Sequence, residues 1–61
     1  MNGKQVAERL KSAGWVLDRI NGSHHVFVKN GKTCPVAIHG KRDIPAGTLS
    51  KIERITGVSM K

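Results

Sequence analysis

The fold is decided by residues 15–38, which read WVLDRINGSHHVFVKNGKTCPVAI. Three short runs rich in β-forming residues lie within this stretch, over residues 15–20, 24–28 and 33–38. They are separated by two Asn-Gly pairs, Asn21-Gly22 and Asn30-Gly31. Because Asn-Gly between β-prone runs is typical of a tight type I′ turn, the stretch predicts a three-stranded antiparallel meander.

A helix is predicted before this meander. Val6, Leu10 and Ala13 recur at the spacing of one helical face, from about residue 3 to residue 13. Asn2 and Gln5 have the spacing of a capping box, in which two side chains and two backbone N–H groups satisfy each other at the start of a helix.

A second helix is predicted after the meander. Pro45 has the fixed φ that suits the start of a helix, Leu49 and Ile52 begin an apolar face, and Gly57 suits its end. The predicted order is therefore α-β-β-β-α, an α+β fold in which both helices pack on one face of a three-stranded antiparallel sheet.

Alternation along the strands suggests which face is buried. The larger apolar set on strands two and three comprises Val26, Val28, Val36 and Ile38. We expect this set to meet the helices, which leaves Phe27 on the open face and puts His24 on the buried side at the start of its strand. Cys34 is expected to be a small buried apolar residue. Pro35, which lacks an N–H, predicts that strand three either lies at an edge or carries an irregularity there.

Length, charge and composition restrict the function. The chain has 61 residues with 11 basic and 4 acidic side chains, a net charge of +7. We expect one domain over residues 1–61, located in the cytoplasm, because no apolar run approaches the length of a membrane span and nothing resembles a signal peptide. One cysteine can form neither an internal disulfide nor a thiolate metal site, so we expect no metal and no cofactor. The positive charge favours a nucleic acid as partner.

Histidine and lysine or arginine side chains remain as candidates for catalysis. His24 and His25 follow Gly22-Ser23, directly after the first predicted turn. RNA carries its own nucleophile, the 2′-hydroxyl, so a placed histidine and nearby cations suffice to cleave it without a metal. The alternative is that both histidines are ordinary residues at the start of a strand.

A second polar cluster precedes the second helix. His39, Lys41 and Arg42 lie where the free amide groups of the helix start could help to bind a phosphate. A solvated basic loop is the alternative. Lys29 and Lys32 flank the second turn, and we expect both to be solvated.

A series of motifs runs along the chain: Gly14-Trp15, Gly22-Ser23-His24-His25, the run from Lys41 to Leu49 (KRDIPAGTL), Ile52 and Gly57. In this order they resemble the HicA toxins of prokaryotic toxin–antitoxin systems. The similarity extends from about Lys4 to Val58. One departure is that Ile38 precedes His39 where members often have proline, and the proline occurs earlier, as Pro35.

The resemblance implies a fold like that of a double-stranded RNA-binding domain. It also implies an mRNA interferase, a metal-independent endoribonuclease that cleaves mRNA and inhibits translation, with His24 as the catalytic residue. A HicB-type antitoxin would neutralise it, with a monomeric toxin alone and a higher-order complex with the antitoxin. We expect RNA binding or support of His24 from a further group of residues: Gly22, Ser23, His25, His39, Lys41 and Arg42. The competing hypothesis is a small basic RNA-binding module without catalysis.

Overall fold

The computed structural model describes residues 1–60 and confirms the predicted α+β order. The elements are α1 (Gly3–Ser12), β1 (Val16–Asn21), β2 (His24–Lys29), β3 (Lys32–Ala37) and α2 (Ala46–Thr56). The strands are antiparallel in the order β1-β2-β3. Both β1 and β3 are therefore outer strands, and Pro35 is exposed on β3, where its missing N–H leaves no interior ladder bond unmade.

Both helices begin and end near the predicted residues. At the start of α1 the Gln5 N–H donates to Asn2 Oδ1 at 2.9 Å and the Asn2 N–H donates to Gln5 Oε1 at 2.9 Å, which is the predicted capping box. Helix α2 starts after Pro45 and ends at Gly57, which has a left-handed φ of 73°. The side chains of Asn2 and Gln5 thus fix the start of α1, while Pro45 and Gly57 delimit α2.

The two turns of the meander differ, although each contains Asn-Gly. Asn30 and Gly31 have φ values of 49° and 78° and lie between the paired residues Lys29 and Lys32, so this turn has the predicted type I′ pattern. The prediction of a type I′ turn at Asn21-Gly22 is wrong, because Asn21 and Gly22 are not the two loop residues. Asn21 is the last paired residue of β1, opposite His24, and the two residues of the loop are Gly22 and Ser23.

A bulge in β1 accounts for that difference. Leu17 pairs with Phe27 and Arg19 pairs with Val26, so Asp18 is an extra residue in β1. The extra residue moves the end of the pairing along β1 and brings Asn21 into the strand. Of the two loop residues only Gly22 then has a positive φ, 64°, as in a type II′ turn, where glycine occupies the first central position.

The prediction for the faces of β2 is wrong. Phe27 is only 1% exposed and pairs with Cys34, so these two side chains point to the same, buried face. Val26 and Val28 lie on the opposite face, where Val26 pairs with Pro35. The two-residue turn at Asn30-Gly31 fixes the register of β2 against β3. This register, and not the number of valines on a face, decides which face each residue of β2 shares with the residues of β3.

One core lies between the helices and what we call the core face of the sheet, the face of Phe27, Cys34 and Val36. Its buried members are Val6, Leu10, Trp15, Phe27, Cys34, Val36, Ile44, Ile52 and Met60. Both helices therefore cover one face, as predicted, and Cys34 is buried, as predicted. Burial raises the pKa of the Cys34 thiol by desolvating its charged form.

The opposite face, which carries His24 and Val26, we call the open face. Helix α2 contacts β3, the outer strand, so one side of α2 borders the open face while Ile52 points into the core. His24 shares the side of the valines, as expected, but that side is the open one, and His24 is exposed.

Candidate functional site

A groove runs between the open face of the sheet, α2 and the loop that precedes α2. Its first part is lined by His24, Pro35, Ala37, Thr48, Lys51, Ile52 and Ile55. Its second part is lined by Ala37, His39, Arg42, Asp43, Ile44, Pro45 and Thr48. Ala37 and Thr48 line both parts, so the two parts adjoin at these residues, and we call them together the histidine groove.

The backbone around the first turn places His24 in this groove. His24 is the first residue of β2 and pairs with Ala37 of β3. The Ile38 N–H donates to the carbonyl oxygen of Ser23 at 2.8 Å, so pairing continues one residue beyond the assigned strands. A proline at position 38 could not make this bond, because it has no N–H.

His25 lies on the other side of the sheet from His24. It is half-buried, pairs with Val36 on the core face, and its Nδ1 is 3.3 Å from the carbonyl oxygen of Ser23. Of the two neighbouring histidines, only His24 lines the histidine groove. The alternation of side chains along a strand separates them.

The basic loop contributes two of its three predicted residues to the groove. His39 and Arg42 line it, and the Arg42 N–H donates to the His39 carbonyl oxygen at 3.2 Å, which closes a turn. Lys41 is exposed and lies outside the lining of both parts of the groove. The groove thus brings together His24, His39 and Arg42 and leaves out Lys41.

The start of α1 anchors the same loop. The Ile44 N–H donates to the Met1 carbonyl oxygen at 2.8 Å, and Asn2 forms an antiparallel bridge with Asp43. The N-terminal amino group of Met1 also lies 3.6 Å from Asp43 Oδ1. This carboxylate is 82% exposed, so the ion pair contributes little stability, and the backbone bonds hold the loop.

Lys51 is a groove residue that the sequence analysis missed. It lies one helical turn after Thr48 on the side of α2 that borders the open face. No motif marks it, since its position next to the buried Ile52 is equally consistent with a solvated lysine. The only sequence signal for Lys51 was its three-residue spacing from Thr48. This spacing indicates a groove residue only when α2 is known to lie beside β3.

The groove is positively charged, and its basic side chains have no internal partners. Within residues 1–60 the side chains of His24, His39, Arg42 and Lys51 make no hydrogen bond or ion pair. Asp43 is the one carboxylate that lines the groove among the described residues. Pro45 offers no capping side chain to α2, and the first turn of α2 contains no acidic residue, so the positive end of the helix dipole adds to the field.

Lys29 behaves differently from these cations. Its Nζ donates to the carbonyl oxygen of Ala13 at 2.6 Å, just after α1, and the residue is half-buried. The expectation that Lys29 is solvated is therefore wrong, because its long side chain reaches back along the sheet to the end of the helix. Lys32, across the turn, is exposed as expected.

Residues 1–60 contain neither a candidate metal site nor a helix that could span a membrane. The described histidine, cysteine, aspartate and glutamate side chains form no group of three that could hold a metal ion. Neither of the two described helices is long and apolar enough to cross a membrane.

Comparison with protein families gave one match. The family model described as "HicA toxin of bacterial toxin-antitoxin" matches residues 3–58, which is nearly the whole chain and includes both helices and the sheet. Comparisons with curated proteins and with solved structures gave no match.

Proposed function

The chain belongs to the HicA toxin family of bacterial toxin–antitoxin systems, and we propose from this premise that its toxic activity is cleavage of messenger RNA without a metal ion. The proposal rests mainly on one observation. An exposed histidine, His24, shares a groove with cations that have no partner inside the described protein. Unpaired cations beside a proton-transfer group are what phosphodiester cleavage requires.

The reaction is an attack of the RNA 2′-hydroxyl on the adjacent phosphorus. A bond forms between the 2′-oxygen and phosphorus, and the bond between phosphorus and the 5′-oxygen breaks. The 2′-hydroxyl loses a proton and the leaving 5′-oxygen gains one. His24 carries out one of these transfers, since an imidazole ring can accept or donate a proton.

The cations bind the phosphates and stabilise the charge that develops on the one being cleaved. Lys51 lines the part of the groove that contains His24 and Arg42 lines the adjoining part, so both can bind phosphates of an RNA strand that contacts His24. Lys41, exposed outside the groove, adds to the attraction of a longer strand. Gly22 and Ser23 form the turn that presents His24, and the Ser23 carbonyl fixes that turn through its bond from Ile38.

A HicB-type antitoxin neutralises the toxin by covering the histidine groove. The antitoxin surface that does so carries carboxylates, because the groove and the whole chain, at +7, are positive. The toxin alone is a monomer, and the complex with antitoxin is larger. Its substrate places the active toxin in the cytoplasm.

The test is a cleavage assay with the purified chain. A single-stranded and a folded RNA are incubated with the parent, His24→Ala and His25→Ala, each with and without EDTA. We expect the parent to cleave in EDTA and His24→Ala to lose about 10²–10⁴-fold in rate. His25→Ala is the matched control, because His25 is the adjacent histidine on the other side of the sheet. It should retain cleavage.

Two results would contradict the proposal. Cleavage by His24→Ala at the parent rate would exclude His24 as the catalytic residue. RNA binding without cleavage by the parent would favour the non-catalytic RNA-binding module instead.

A further inference from the structure

The proposed cleavage needs two proton transfers, and His24 supplies one of them. In-line displacement puts the attacking 2′-oxygen and the leaving 5′-oxygen on opposite sides of the phosphorus. A single imidazole beside one oxygen is poorly placed to serve the other in the same step. A second proton-transfer group on the far side of the phosphate would complete the site.

The register of β2 and β3 places His39 two residues beyond the residue that pairs with His24. His24 pairs with Ala37, and the bond from the Ile38 N–H to the Ser23 carbonyl continues the pairing by one residue. His39 follows Ile38 directly, just beyond the end of β3. In a regular antiparallel pair a residue in this position is the diagonal neighbour of its counterpart, about 7–8 Å away on the same face, which is close enough for two imidazoles to flank one phosphate.

The turn before His24 is open to a ligand. Gly22, one of its two residues, has no side chain, and nothing lies within 4 Å of the position that a Cβ would occupy there. Both histidines line the histidine groove, His24 in its first part and His39 in its second, and Ala37 lines both parts. A phosphate can therefore approach the backbone of the turn beside His24.

Other charged groups line the histidine groove as well. Arg42 and Asp43, from the same loop as His39, line the same part of the groove as that histidine, and Lys51 of α2 lines the part that contains His24. Asp43 is next to the N-terminal amino group of Met1, 3.6 Å away. Arg42 and Lys51 are thus free to stabilise the phosphorane, while the proton transfers are left to the two imidazoles.

We propose that His39 is a second catalytic residue and that His24 and His39 divide the two proton transfers between them. One imidazole accepts the proton of the 2′-hydroxyl as the bond to phosphorus forms. The other donates a proton to the 5′-oxygen as its bond to phosphorus breaks. This inference rests on the proposed ribonuclease function, and it leaves open which histidine is the acid.

The test uses an RNA in which the leaving 5′-oxygen is replaced by sulfur. A thiolate leaves without being protonated, so the variant that lacks the general acid recovers its rate on this substrate, whereas the variant that lacks the base does not. Parent, His24→Ala, His39→Ala and the control Lys32→Ala, at an exposed residue outside the groove, are compared on the oxygen and sulfur substrates at saturating RNA. Circular dichroism and RNA affinity show that each variant is folded and binds.

We expect His24→Ala and His39→Ala each to lose about 10²–10⁴-fold on the oxygen substrate. One of the two should recover to within about tenfold of the parent on the sulfur substrate. Two results would overturn the inference: His39→Ala at the parent rate on the oxygen substrate at saturating RNA, or no recovery on the sulfur substrate by either His24→Ala or His39→Ala. Failure of the parent to cleave either substrate would instead overturn the proposed function itself.

Discussion

The two ends of β2 show two uses of a basic side chain. At one end, Lys29 donates to the Ala13 carbonyl at 2.6 Å and closes the end of α1. At the other end, His24 is exposed and shares its groove with Lys51, and neither has a partner among the described residues. A cation bonded to the backbone stabilises the fold, whereas an unpaired one in a groove is available to a ligand.

The turns at the two ends of β2 differ in how much they depend on residues distant in the chain. Asn30-Gly31 is a self-contained turn whose two positive φ values match the twist of the hairpin. The Gly22-Ser23 turn depends on the bulge at Asp18 and is held by the bond from Ile38 to Ser23. The turn that carries the candidate site is thus the one with more long-range support.

The largest effect on stability should come from a substitution in the core, which supports both ends of β2. Phe27→Ala removes a side chain that is 1% exposed, and such truncations cost about 3–5 kcal/mol in the free energy of unfolding. A domain of this size has little more than that in reserve, so we expect it to be largely unfolded. Urea denaturation followed by circular dichroism measures this. Val16→Ala is the control: Val16 is 63% exposed, so the free energy of unfolding should change by no more than about 0.5 kcal/mol. A loss in Val16→Ala as large as that in Phe27→Ala would contradict the assignment of Phe27 to the core face and Val16 to the open face.

A smaller effect, on RNA affinity, should follow from Lys51→Ala. A hydrogen bond to a charged group is worth about 1.5–3 kcal/mol, so the dissociation constant should rise by about tenfold or more. The plot of log affinity against log salt should become shallower by about one phosphate contact. Lys32→Ala, an exposed lysine beside the other turn, is the control. Equal losses in both variants would mean that the groove is not the binding site.

The turn at Asn30-Gly31 can be tested by an alanine substitution at Gly31, with the same substitution at Gly47 of α2 as its control. Gly31→Ala places a side chain at φ 78° and should cost about 1–2 kcal/mol, because L-residues disfavour the left-handed region. Gly47→Ala, inside α2 with nothing within 4 Å of the added methyl, should be neutral or stabilise by up to about 1 kcal/mol. Thermal unfolding of both variants checks the signs. Cleavage should be unchanged in Gly31→Ala, whose turn lies away from the histidine groove.

The smallest effect is expected for Lys29→Met. It removes the bond to the Ala13 carbonyl and the positive charge at the end of α1, and should cost about 0.5–1.5 kcal/mol. RNA affinity should hardly change. Together with Lys51→Ala this gives a double dissociation, since one lysine affects stability and the other affects binding. A loss of affinity in Lys29→Met as large as that in Lys51→Ala would remove the distinction between the two ends.

Local sequence patterns predicted most of the fold. The capping box at Asn2 and Gln5, the stop at Gly57 and the turn at Asn30-Gly31 all depend on residues within a few positions of each other. The face of Phe27 was also predictable, because a two-residue turn at Asn30-Gly31 sets Phe27 opposite Cys34. Counting valines instead of following the register led to the wrong face.

The bulge at Asp18 was not predictable in the same way. A bulge adds one residue to one strand without a required residue type, so WVLDRI reads equally well as a regular strand. Its consequence is that Gly22-Ser23, and not Asn21-Gly22, forms the turn. His24 was identified by its place after that glycine and by the family resemblance, neither of which depends on the turn type.

The sequence by itself determined the order of elements, the caps of the helices, the second turn and the family to which the chain belongs. Only the tertiary structure decided that His24, His39, Arg42 and Lys51 line one groove and that Lys41 and His25 do not. The physical reason is range. Caps and turns form between residues that are close in the chain, whereas the groove exists because α2 packs beside β3 and brings Lys51 next to His24, 27 positions earlier in the sequence.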